Sequence, residues 1–118
     1  MLGLGLDMID IARIRRALTN ERFLQRVYTE AERARIRERG AQTAAGYFAA
    51  KEAVAKALGT GFRGFCIWDI EIVPDALGRP EALLLRGARE RLEAIGGRAI
   101  HLSITHTDQV AAAVAIIE

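Results

Sequence analysis

The sequence predicts an α+β fold, a small antiparallel sheet packed against helices, on three observations. An alanine-rich stretch from Gly46 to Gly59 has the composition of a helix, since Ala is the best helix former and Leu, Lys and Glu follow closely. Apolar alternation of period two recurs in the second half of the chain. The elements read in order as a strand, several helices, two strands, a helix and two strands, which sets helices against an antiparallel sheet rather than between parallel strands. With 118 residues there is room for one domain, 1–118, with one modest core and no separate cofactor domain.

Met1 to Ile9 reads as an apolar strand containing Gly3 and Gly5, with Asp7 between Leu6 and Met8. Asp10 then caps a short helix whose Ile11, Ile14 and Leu18 face the core. Asn20 caps a second helical piece holding Phe23, Leu24 and Val27. Thr29 with Glu32 makes a capping box for a third helix, which Gly40 ends. In the long helix that follows, Phe48, Glu52 and Lys56 recur every fourth residue and share a face, and Gly59-Thr60-Gly61 stops it. Lys51 points elsewhere on the same helix. From Phe65 to Val73 the period changes to two, so a strand is expected there, with Cys66 a buried structural thiol. Pro74 to Gly78 is turn chemistry, and Arg79 to Leu84 returns as a strand with Pro80 at its start or on an edge. Gly87 to Ile95 has helical composition. Ala99 to Thr105 and Gln109 to Ile117 form the last two strands, joined around His106-Thr107-Asp108 in a hairpin.

A hydrophobic share of 51% fits a folded chain. No apolar run is long enough to span a bilayer, and the N-terminus lacks the pattern of a secretory leader, so a cytoplasmic protein with no membrane partner is expected. The single cysteine cannot form an internal disulfide, in keeping with a reducing compartment. Net charge is only +2 but uneven. Between Ile11 and Gly40 stand arginines 13, 15, 16, 22, 26, 33, 35, 37 and 39 against glutamates 21, 30, 32 and 38. Such a basic third attracts an acidic protein, a phosphorylated ligand or nucleic acid. With aromatics at 6% and no basic strip interleaved with them, a nucleic-acid-binding module is the weaker alternative. His101 and His106 lack the neighbouring cysteines or acids of a structural zinc site.

Two carboxylates stand out. Inside an apolar strand, Asp7 costs several kcal/mol in desolvation unless a cation, a metal or backbone donors compensate it, although near a strand end it can be solvated or cap the next helix. Glu52 is flanked by the only two lysines of the chain, Lys51 and Lys56. Glu52 and Lys56 form either a plain surface pair worth about 0.3–0.5 kcal/mol or part of a site. Asp7 and Glu52 are candidate ligands of one shared metal ion.

Four segments carry a resemblance: Gly5 to Arg13, Phe48 to Lys56, Gly78-Arg79-Pro80 and Leu102 to Thr107. Together, in this order and spacing, they are similar to the holo-acyl-carrier-protein synthases, the short-chain branch of the 4'-phosphopantetheinyl transferase family. The resemblance implies that branch's fold and a homotrimer with active sites between neighbouring subunits. It implies transfer of 4'-phosphopantetheine from coenzyme A to a serine of apo acyl carrier protein, releasing adenosine 3',5'-bisphosphate, a step of the kind that serves fatty acid biosynthesis. Mg²⁺ is the expected cofactor, because it favours oxygen ligands and takes one or two carboxylates plus substrate phosphate.

Carried over by position, Asp7 and Glu52 match the metal ligands, and Glu52 is also the expected general base, directly or through a water. Lys56 matches the lysine that meets coenzyme A phosphate and stabilises developing charge. Phe48 either packs on the cofactor or belongs to the core, and Lys51 touches coenzyme A phosphate or an adjoining subunit. Gly59 is either a close approach to the nucleotide or a plain C-cap, and His106 either borders the adenine of a neighbouring site or bonds a turn carbonyl. Arg13 corresponds to the motif arginine that receives the acidic carrier, with Arg16, Arg22 and Arg26 added on charge alone. The competing enzyme reading is a different metal-dependent phosphate-ester enzyme that would use the same Asp7, Glu52 and Lys56.

Overall fold

A computed structural model describes all residues, 1–118. Strand β1 (Gly3–Asp10) leads into three helices, α1 (Ile11–Ala17), α2 (Glu21–Val27) and α3 (Glu30–Arg39), and then into the long α4 (Ala41–Ala57). A short 3-10 turn (Ile67–Asp69) precedes the hairpin β2 (Ile70–Pro74) and β3 (Pro80–Leu84). Helix α5 (Arg86–Ala94) and the hairpin β4 (Ile100–His106) and β5 (Val110–Ile117) complete the chain. The α+β expectation holds, as two antiparallel sheets, one ordered β1-β5-β4 and the other β2-β3.

Local chemistry explains most boundaries. The Asn20 carboxamide accepts from the backbone N–H groups of Arg22 and Phe23 at the start of α2. Thr29 and Glu32 form the expected capping box on α3. Asp10 precedes α1, but its side chain makes no capping bond. Helix α4 begins at Ala41, five residues before the alanine-rich stretch, because Gly40 at φ 92° breaks α3 and lets the chain turn at once into the next helix. Gly59, at φ 84°, donates its N–H to Lys56 O as the C-terminal stop.

The expected strand from Phe65 is shorter than its alternation implied. Residues 67–69 coil into the 3-10 turn because the Asp69 carboxylate, itself buried, accepts from the Cys66 N–H at 3.1 Å and pairs with Arg86. Cys66 is consequently exposed, contrary to the buried thiol expected. Alternation alone cannot show that a side chain will draw the backbone out of extension.

Small residues set the layer spacing at the centre. Helix α4 lies across β1 and β5, and its Ala49, Ala53 and Ala57 are buried together with Ala111, Ala113 and Ala115 of β5. Gly5 runs so close that a Cβ there would overlap the Ala53 carbonyl, and Gly3 meets Ala57 in the same way. Asp7 follows on the same face of β1, opposite Ala113 of β5. The glycines therefore bring the Asp7 backbone close to the helix that carries Glu52.

Candidate active site

The two carboxylates read from separate parts of the sequence come together. Lys56 Nζ donates to the Leu6 carbonyl at 2.9 Å and to Asp7 Oδ1 at 3.1 Å. The Asp7 side chain is 18% exposed and that of Lys56 52%, so the pair sits at the edge of solvent. Glu52 is half-buried. Burial, and next the Asp7 carboxylate, push its pKa above the usual carboxylate range, while Lys56 pulls the other way. Two acids that disfavour each other's charge in a partly dry place form a site that a cation would relieve. No group of three or more acids, histidines or cysteines gathers anywhere in the chain. Two carboxylates with open positions fit Mg²⁺, whose remaining ligands are commonly phosphate oxygens and water. The plain Glu52 to Lys56 surface pair is absent, because Lys56 turns to Asp7 instead.

Lys51 requires a correction. It is fully buried, bonded to Glu32 Oε1 at 2.9 Å and to the Ile70 carbonyl at 2.5 Å, and reaches neither a ligand nor an adjoining subunit. Burial pulls its pKa below the ordinary lysine range, with Glu32 opposing. In the sequence its partner Glu32 is visible only as half of a capping box. The signal was present, since Tyr47, Lys51, Val54, Ala55 and Leu58 recur at helical spacing and all but Lys51 are apolar.

Phe48 stacks on Phe23 with ring centroids 6.2 Å apart, which accounts for it as packing between α2 and α4. Gly59 fills the left-handed stop of α4. His106 is exposed, its Nδ1 is 3.1 Å from the Thr107 carbonyl, and it lines a cavity of about 190 Å³ with Arg39, Gln42, Thr43, Tyr47 and Pro80. That cavity is not lined by Asp7, Glu52 or Lys56. Of these lining residues Pro80 falls in the Gly78-Arg79-Pro80 segment, whereas Gln42, Thr43 and Tyr47 carry no signal in the sequence, because the cavity is assembled from α3, α4 and the two hairpins.

Arg13, Arg16, Arg22 and Arg26 are all exposed and take part in none of the ion pairs. Arg13 and Arg16 border a cleft shared with Asp10, Asp108 and Gln109. Other arginines of the basic third have structural partners: Arg33 donates to the Tyr28 carbonyl, and Arg35 donates to Tyr47 Oη and the Ile72 carbonyl.

The sequence profile described as the 4'-phosphopantetheinyl transferase superfamily matches residues 3–115. A holo-acyl-carrier-protein synthase of Solidesulfovibrio magneticus is 47% identical over 119 residues, covering 98% of this chain and 97% of that one. Among solved structures, the holo-acyl-carrier-protein synthase of Neisseria meningitidis superposes with a TM-score of 0.91 at 33% identity, over 100% of this chain and 98% of that one. The Helicobacter pylori enzyme of the same name, solved in complex with coenzyme A, gives 0.86 at 28% identity, over 98% and 99%.

Proposed function

The chain belongs to the 4'-phosphopantetheinyl transferase superfamily and transfers 4'-phosphopantetheine from coenzyme A to apo acyl carrier protein, and we propose that Asp7, Glu52 and Lys56 are the groups that carry this out. The observation that carries the reading is the convergence of these three side chains, from β1 and α4, at one partly buried edge. In the transfer, the carrier's serine oxygen forms a bond to the β-phosphorus of coenzyme A. The bond from that phosphorus to the bridging oxygen breaks, and adenosine 3',5'-bisphosphate leaves with the electron pair. Glu52 accepts the serine proton, directly or through a water, as a carboxylate beside the proposed metal position. Lys56, held at this edge by Leu6 O and Asp7, is assigned to the diphosphate, where its ammonium would offset charge on the leaving oxygens. Asp7 holds Lys56 in place and, with Glu52, would supply the protein ligands for Mg²⁺. A bound Mg²⁺ would screen the diphosphate charge from the nucleophile.

The active unit is a homotrimer in this reading. Leu4, Leu6 and Met8 on the outer face of β1 are between 58% and 65% exposed, and they continue across Ile116, Val114 and Ala112 of β5. An apolar sheet face of this kind is covered by protein in a working molecule. The cavity beside His106 and the Asp7 cluster are separate within one chain, which supports a site composed from two subunits, with His106 bordering the nucleotide end of coenzyme A. Exposed, unpaired Arg13, Arg16, Arg22 and Arg26 receive the acidic carrier. No helix is long and apolar enough to cross a membrane, and we place the reaction in the cytoplasm.

The direct test incubates the protein with apo carrier, coenzyme A and Mg²⁺ and weighs the carrier. A gain of the phosphopantetheine mass is expected, and a nucleic-acid-binding protein would leave the mass unchanged. Asp7→Ala should abolish the gain while circular dichroism stays native; near-normal turnover would remove Asp7 from the site.

A further inference from the structure

The lysine next to Glu52 has no part in the chemistry above, yet it is among the most completely buried residues of the chain. Lys51 and Glu32 are both 0% exposed and 2.9 Å apart. The pair is joined to the backbone at three further points. Glu32 Oε1 accepts from the Thr29 N–H at 2.8 Å, Glu32 Oε2 accepts from the Ile72 N–H at 2.7 Å, and Lys51 Nζ donates to the Ile70 carbonyl. No buried side-chain polar atom is left without a partner. One contact thus joins the start of α3, the middle of α4 and both ends of the Ile70–Ile72 stretch of β2.

Glu52 lies between two anchored neighbours. On one side Lys51 is held to β2 and α3. On the other Ala53 is pressed by Gly5 of β1. Successive helical residues are separated by about 100° around the axis, so fixing 51 and 53 leaves 52 a single direction, towards Asp7. An apolar pair of similar volume would fill the same space but leave the Thr29 and Ile72 N–H groups and the Ile70 carbonyl without partners. What the charged, hydrogen-bonded pair adds is direction, since such bonds weaken steeply when the helix rolls.

We propose that Glu32 and Lys51 are positioning residues that set the roll of α4, so that Glu52 is delivered to Asp7 for metal binding and transfer. The inference rests on the Asp7–Glu52 metal reading, and the experiment separates the two. Glu32→Gln keeps the volume and removes the charge, and Glu32→Leu/Lys51→Met replaces the pair by apolar groups. Each is compared with wild type by thermal melting, by Mn²⁺ titration followed by electron paramagnetic resonance, and by kcat and KM for the carrier.

The expected result is a folded protein in which Mn²⁺ binds at least about tenfold more weakly, with the double variant melting below wild type because the Thr29 and Ile72 N–H groups and the Ile70 carbonyl lose their partners. kcat should fall in parallel, and KM for the carrier should not move. A folded variant with wild-type Mn²⁺ affinity and kcat overturns the proposal. Failure of both variants to fold also overturns it, by making the pair a stability element alone. Glu52→Ala is titrated alongside. If it still binds Mn²⁺ normally, the metal reading falls, and a crystal structure of Glu32→Gln decides whether α4 has rolled.

Discussion

Burial and the Asp7 carboxylate both favour the protonated form of Glu52, and Lys56 only partly offsets them. The folded protein therefore holds this proton at a higher pH than the unfolded chain does. Ionising Glu52 weakens the fold: the penalty is absent below the ordinary carboxylate range, grows as pH rises from there to the raised folded value, and is fully present above it. In the presence of a chelator, Glu52→Gln should melt higher than wild type near pH ~7, and the gap should close below pH ~4. Millimolar Mg²⁺ should raise the melting temperature of wild type and leave Glu52→Gln almost unmoved. The same variant should lose about 10²–10⁴-fold in kcat, the span expected for removing a general base. Near-wild-type turnover would make another group the base.

At the level of elements, the contact between β1 and α4 decides whether a site exists. Gly5 is extended backbone, so a side chain there is excluded by space alone, because the Ala53 carbonyl occupies the position of a Cβ. Gly5→Ala should push β1 off the helix, costing about 1–3 kcal/mol as overpacking does. It should also weaken Mg²⁺ binding by widening the separation of Asp7 from Glu52. Melting and a Mn²⁺ titration check both effects, and a variant as stable and as competent as wild type would show that the layer yields without consequence. The β2–β3 turn is built by a different device. Asp75 accepts from the backbone N–H groups of Arg79 and Leu77, and these bonds hold its carboxyl below the usual range.

The whole molecule presents two surfaces of opposite character. The outer face of β1 is apolar and exposed and continues onto β5, while the exposed arginines of α1 and α2 make a basic surface. Leu6→Arg places a charge in the middle of the first surface. It should yield a folded chain that sediments as a monomer and has no transfer activity; an active monomer would rule out a site shared between subunits. Arg13→Glu should raise KM for the carrier by about tenfold or more and leave coenzyme A binding unchanged, as expected when a charge that guides association is reversed. Salt should erode the wild-type advantage for the same reason. An equal loss towards both substrates would place Arg13 elsewhere in the reaction.

Composition, period and capping chemistry made the α+β class legible, and with it the capping box at Thr29, the stop at Gly59 and the alternation of β5, because each depends on residues a few positions apart. The nearness of Asp7 and Glu52 was legible only as one of two readings, since Asp7 near a strand end can be solvated or cap a helix and Glu52 can form a plain surface pair; the resemblance chose between them. Tertiary structure decided what each cation does. Lys51 and Lys56 are both lysines of one helix, yet one is sealed against Glu32 and the other reaches Asp7 at the surface. Propensity and spacing describe a helix and its faces. Which face meets the core depends on partners brought from Glu32, Ile70 and Leu6, and the free energy of a buried charge is set by those distant contacts.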